Sequence, residues 1–127
     1  MRVALDTNRL TDLLRGDVAL AERLGACEEV SIPLMVLAEM MAGFYGGTQQ
    51  HRNEALLRKF LAKPTIAILL PGRETAERYA RLFVQLKRAG TPIPDNDLWI
   101  AALALEHDLL LITRDRHFAC LPQLLQE

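Results

Sequence analysis

Four acidic side chains stand at places where a charge needs explaining. Asp6 ends the apolar run Val3-Ala4-Leu5, and Asp115 follows the aliphatic stretch Leu109 to Thr113, so each leaves a segment that reads as a strand. Glu39 interrupts Val36-Leu37-Ala38-Glu39-Met40-Met41, where a charge is costly unless something compensates for it, and Asp97 opens the apolar segment Leu98-Trp99-Ile100-Ala101-Ala102. Acids without accompanying Cys or His ligands suit a hard cation bound through oxygen, Mg²⁺ or Mn²⁺ rather than zinc. His51, His107 and His117 show no ligand spacing and are expected at the surface or as caps. A carboxylate cage around one or two such ions can activate a water and stabilise the charge that develops when a phosphodiester is attacked in line. That chemistry serves a nuclease and a phosphatase equally. Plainer readings exist for two of the acids: a helix dipole favours Asp97 in a first turn, and Glu39 could face solvent or pair with an arginine.

The elements that must position these acids follow from periodicity. Arg2 to Leu5 reads as a strand delivering Asp6 to its C-terminal end, the side of an α/β sheet on which ligands collect. Asn8 to Leu14 and Val18 to Leu24 have helical spacing and stop at Gly16 and Gly25. Glu29 to Pro33 alternates as a strand, Leu34 to Tyr45 is helical, and Gly46-Gly47 breaks the helix. Thr48 is placed to cap the next helix, with Leu56, Leu57, Phe60 and Leu61 on one stripe and Pro64 beyond it. Thr65 to Leu70 reads as a strand buried on both faces. An amphipathic helix spans Glu74 to Arg88, and another follows a proline-stiffened loop with Asp95 or Asn96 as its cap. Leu109 to Thr113 is a buried strand, whereas the tail from Ala119 to Glu127 fits a short strand or a helical turn equally. Alternating strands and helices imply an α/β fold: a three-layer α/β/α sandwich with a mainly parallel sheet of four to five strands.

Composition sets the outer bounds. The 127 residues fit a single domain, 1–127, that needs no disulfide staples, and Cys27 and Cys120 suggest neither a disulfide framework nor a zinc site. No apolar run approaches a membrane span, and Asp6 comes before any stretch that could act as a signal peptide, so a cytoplasmic location is the default expectation. A net charge of -1 argues against a general nucleic-acid binder. With four of the 16 acids gathered round a metal, however, the 15 basic residues outnumber the remaining acids. A mildly positive exterior round a negative pocket suits a polyanionic substrate, although many ordinary proteins share it.

Taken together, Asp6-Thr7-Asn8, Glu39 in its apolar helix, Asn96-Asp97-Leu98-Trp99-Ile100-Ala101-Ala102 and Thr113-Arg114-Asp115 with Phe118 resemble the four motif blocks of the PIN-domain ribonucleases. Order and spacing match across almost the whole chain, including Gly90, Pro92 and Ile93, and the length is most similar to the VapC toxins of toxin–antitoxin pairs. The resemblance implies Mg²⁺- or Mn²⁺-dependent cleavage of single-stranded or loop RNA and neutralisation by a small VapB-like antitoxin. It carries Asp6, Glu39, Asp97 and Asp115 over as metal ligands or water activators, and Thr7, Asn8 and Thr113 as supporting hydrogen-bonders. Arg114 and Arg116 are candidate phosphate contacts near the site, and solvated charges are the plainer reading of both. Asp95 is expected to be a helix cap rather than a ligand, since residues two apart on a helix point to different sides. Pro122 interrupts the segment where family members finish with a clear last strand.

Two alternatives stand beside this. A haloacid-dehalogenase-type phosphatase also begins with an aspartate after a first strand, but wants a second aspartate where this chain has Asn8. A PIN-like module that no longer cleaves is the other. VapC-like proteins are usually dimers, and Met40, Met41, Phe44 and Tyr45 exceed what one helix stripe can bury, so a homodimer through that helix is expected.

Overall fold

Val3, Ala4 and Leu5 of β1 (Arg2–Leu5) are wholly buried, because this short strand lies inside a sheet with partners on both sides. The computed structural model describes residues 1–127. After β1 come α1 (Thr7–Leu14), α2 (Val18–Gly25), β2 (Glu29–Pro33), α3 (Leu34–Tyr45), α4 (Gln50–Leu61), β3 (Ile66–Leu69), α5 (Arg73–Ala89), α6 (Asp95–Glu106), β4 (Leu110–Ile112) and a 3₁₀ turn, Arg116–Cys120. All strand pairs are parallel and the order is β3-β2-β1-β4; Val3 faces Val30 on one side and Leu110 on the other.

The chain therefore steps outward from β1 to β3 and then returns to the far side of β1 as β4. Right-handed crossovers place α1 to α4 on one face and α5 with α6 on the other, giving the three-layer α/β/α sandwich expected. The winding reverses between β1 and β4, the place in an α/β sheet where a ligand crevice forms beyond the strand ends. Asp6 and Asp115 emerge on either side of it.

Several local expectations change. The first helix begins at Thr7, one residue early, because the Asp6 carboxylate accepts the Arg9 backbone N–H at 3.0 Å and caps it. Thr48 is not a cap: the fourth helix starts after Gln49, with no side-chain cap at all. Asp95 is no cap either, being the first residue of α6, and its carboxylate accepts the Tyr79 hydroxyl. Thr65 to Leu70 is not buried on both faces; β3 is an edge strand, and Ile68 and Leu70 are 45% and 66% exposed. A continuous aliphatic run does not distinguish a central strand from an edge one. Gly90 ends α5 with φ +72°, the left-handed conformation in which a side chain would be strained. The tail runs beside β4, where Gln126 forms one parallel bridge to Leu111 and the Glu127 N–H donates to the Leu111 carbonyl at 2.9 Å. Pro122 precedes this contact and does not prevent it.

Phe118 is the largest wholly buried side chain, and it fastens the 3₁₀ turn to the core beneath the crevice. Phe118→Ala is expected to cost about 3–5 kcal/mol in urea unfolding, while the half-exposed Phe83→Ala costs under about 1 kcal/mol.

Candidate active site

Asp6 is set by three constraints at once. It leaves β1, caps α1, and accepts a hydrogen bond from the Thr113 hydroxyl just past β4, so one carboxylate ties the two strand ends together. Only 4% of the residue is exposed. Burial pushes the Asp6 carboxyl above its ordinary value of 3.8, and the charge of Asp115 adds to the shift; Thr113, the Arg9 N–H and Arg114 oppose it.

Asp115 caps the 3₁₀ turn, accepting the His117 backbone N–H at 2.9 Å, while its own N–H donates to Thr113 Oγ1 at 2.9 Å. Thr113 thus serves Asp6 and Asp115 together. Asp97 sits in the first turn of α6. Its carboxyl is also raised, first by burial and then by the charges of Asp115 and Glu39, with His117 acting the other way. Glu39 accepts the Thr7 hydroxyl at 3.0 Å. It is not the buried acid that its apolar surroundings implied: Ala38 and Glu39 lie on the exposed side of α3, while Val36, Leu37 and Met40 face the core. All four acids therefore border the crevice in mutual electrostatic contact, Asp6 with Asp115, Asp115 with Asp97, and Asp97 with Glu39.

The tightest cluster differs from the expected quartet. Ligand atoms of Asp97, Asp115 and His117 all lie within 4.8 Å of one another. His117, expected to be a bystander, places Nδ1 2.8 Å from Asp97 Oδ2 and 3.1 Å from Asp115 Oδ1, and both contacts raise its pKa above 6.5. The overlooked signal is the Asp-x-His spacing directly after a strand, which a tight turn folds onto itself. Asp12 was also missed: it accepts Arg114 Nε and Nη2 at 2.9 and 3.2 Å and Arg9 Nη1 at 3.1 Å, which holds its carboxyl below 3.8. Its partner lies 102 residues away, and no local pattern could have announced the pair. Arg116 is exposed and makes no ion pair. Asn8 is exposed too and its side chain makes no hydrogen bond, so it does not support the acids as Thr7 and Thr113 do.

Carboxylates with raised pKa values, gathered at the open end of a sheet, fit a divalent cation, which would relieve the repulsion they now share. Residues 3–123 match the PIN domain. The chain belongs to the PIN-domain family. This PIN domain is 29% identical over 115 residues to Ribonuclease VapC1 of Haemophilus influenzae, which covers 87% of this chain and 84% of the relative. Ribonuclease VapC5 of Mycobacterium tuberculosis is 30% identical over 94 residues, 74% of this chain and 70% of its own. Among solved structures, VapBC2 from Rickettsia felis bound to a DNA fragment from the promoter superposes with a TM-score of 0.92 at 25% identity, covering 100% of this chain and 98% of that one. The PIN fold leaves the haloacid-dehalogenase alternative without support.

Because the Asp6 pKa is raised on folding, its charge lowers the stability of the metal-free protein at neutral pH, and this cost vanishes in acid. Asn can still cap α1. In EDTA, Asp6→Asn is expected to unfold at higher denaturant than wild type at about pH 7, and the gap should close as the pH falls to about 3, where Asp6 is protonated in both states.

Proposed function

We propose that this PIN domain, acting as one unit over residues 1–127, is a VapC-like endoribonuclease that hydrolyses RNA phosphodiester bonds with Mg²⁺ or Mn²⁺ held by Asp6, Glu39, Asp97 and Asp115. The observation that carries this reading is the convergence of four acids at the strand ends, two of them, Asp6 and Asp97, with carboxyl pKa values raised first by burial and then by the charge of neighbouring acids. The relatives named Ribonuclease VapC point the same way. When bound, the ion supplies Lewis acidity toward a phosphoryl oxygen and makes a water more acidic.

The protein's own residues supply position. Thr113 and Thr7 fix Asp6 and Glu39 through hydroxyl hydrogen bonds, so these carboxylates keep one rotamer without a substrate. Arg114 is oriented by Asp12 at the rim of the crevice, close enough to act on the charge of Asp6, and 57% of its side chain remains exposed. It is placed to receive a phosphate of the RNA, with the free Arg116 as a second, looser contact. The substrate is RNA that is single-stranded at the cut, since an open crevice admits a flexible backbone more readily than a duplex.

Partners follow from the same comparison. A small VapB-like antitoxin neutralises the enzyme, in keeping with the likeness to VapBC2, and the enzyme works in the cytoplasm. A homodimer remains the proposed assembly, on a narrower surface than expected: Met40 and Phe44 are buried in the chain's own core, while Met41 and Tyr45 are 37% and 61% exposed. With Leu61 and Arg58 they line a groove of about 250 Å³ between α3 and α4.

Wild-type protein with Mn²⁺ is expected to cut single-stranded RNA, and EDTA to stop it. Asp97→Asn and Asp6→Asn should each lower the rate about 10²-fold or more with circular dichroism unchanged; a folded variant that cuts at the wild-type rate refutes the assignment. Arg114→Ala is expected to raise KM with less effect on kcat, and to lower the salt dependence of RNA binding by about one phosphate contact in binding titrations.

A further inference from the structure

We propose that His117 is a direct metal ligand through Nδ1, completing a set with Asp97 and Asp115, and that this nitrogen makes the site favour Mn²⁺ over Mg²⁺. The inference rests on the metal-dependent reading above and goes beyond it, since the acids alone leave the two ions undistinguished.

Geometry carries the argument. An ion bound at about 2.1 Å in octahedral coordination holds neighbouring ligand atoms about 3 Å apart. Nδ1 lies 2.8 Å from Asp97 Oδ2 and 3.1 Å from Asp115 Oδ1, at the spacing of adjacent corners of such an octahedron. Those distances equally suit a hydrogen bond, and the backbone holds the ring ready for either role. His117 donates its main-chain N–H to the Asp115 carboxylate, and the next residue, Phe118, is wholly buried, so the turn aims the ring into the acids instead of leaving it on a mobile arm. The contacts to Asp97 and Asp115 are made by Nδ1, and Nε2 makes no hydrogen bond to either, so Nε2 can carry the ring proton while Nδ1 coordinates. No backbone change is needed to move from one role to the other.

Asp6 and Glu39 occupy a different position in the site. Each is committed to a threonine hydroxyl, and neither belongs to the cluster of ligand atoms within 4.8 Å. Asp97, Asp115 and His117 offer the most tightly grouped ligand atoms, to which Asp6 and Glu39 add the further carboxylates of the proposed site. A donor set of two oxygens and one imidazole nitrogen disfavours Mg²⁺, which prefers oxygen and sheds its waters reluctantly, and is better matched by a first-row transition ion.

The test uses the full chain loaded with Mn²⁺ and read by electron spin-echo spectroscopy, which detects a nitrogen bonded to the ion independently of any RNA cleavage. The expected result is a ¹⁴N modulation in wild type that changes when the histidines carry ¹⁵N and disappears in His117→Gln. By calorimetry, His117→Gln should bind Mn²⁺ about tenfold more weakly and lose less than about threefold for Mg²⁺, whereas His117→Asp should bind both ions without the nitrogen signal. Bound Mn²⁺ with no nitrogen modulation in wild type overturns the ligand role and leaves the metal-dependent reading standing. Failure of wild type to bind Mn²⁺ at all overturns both. Where His117→Gln fails to fold, loss of the nitrogen signal in His117→Asp assigns it among the chain's three histidines.

Discussion

Mutual repulsion among carboxylates is the constraint on which the rest of this structure depends. Two unit charges 4 Å apart interact by about 4 kcal/mol at the effective dielectric of a protein surface, a large share of the roughly 5–15 kcal/mol that keeps a domain folded. Asp97 and Asp115 are brought near that range and Asp6 and Glu39 feel their charge or exert their own, so each acid must find a donor. Asp6 takes the Thr113 hydroxyl and the Arg9 N–H, Glu39 takes Thr7, Asp115 takes the His117 N–H, and Asp97 faces the His117 ring. The surrounding elements can be understood as whatever holds those donors in place.

Helix termini do most of that holding. Asp6 caps α1, Asp97 occupies the first turn of α6, and Asp115 caps the 3₁₀ turn, so three of the four acids sit where backbone N–H groups are free and the local dipole is positive. The plain structural reason for an acid at these positions and the functional reason do not compete here. Dipoles and caps reduce the cost of each charge enough for several to be assembled in one crevice, yet the carboxyls of Asp6 and Asp97 remain raised, so the relief is partial. The reversal of winding between β1 and β4 brings the termini together, since strands whose connections diverge leave space above their ends.

This explains what could be read from the chain and what could not. Asp6 and Asp115 were legible because a strand that stops on an acid announces itself within a few residues, and the helices were legible from their stripes. Glu39 was singled out for an apolar neighbourhood that the helix in fact turns away from it. The position was informative but the reason was not. Asp12 was invisible for a different cause, since its meaning lies in a partner 102 residues away, Arg114, while His117 carries a short Asp-x-His signal but meets Asp97 from 20 residues away. The exposure of β3 was lost in the same way, because its burial depends on its place in the sheet order and not on its own aliphatic residues.

The separation between Asp12 and the other acids has a consequence for recognition. Asp12 lies further along α1 than Asp6 and binds two arginines, so its carboxyl is lowered where those of Asp6 and Asp97 are raised. Acids of one chemical type are thereby divided into two electrostatic environments: one in which burial outweighs the positive charge nearby and one held directly by two guanidinium groups. Arg114 at the edge of this cluster would, under the proposed function, offset part of the repulsion that the carboxylates exert on a polyanion. Since Asp12 fixes Arg114 through two of its nitrogens, little side-chain entropy is left to lose when a phosphate arrives. The two environments can thus be altered independently, the raised acids through the caps after β1 and β4 and the first turn of α6, the lowered one through the pair that ties Asp12 of α1 to Arg114.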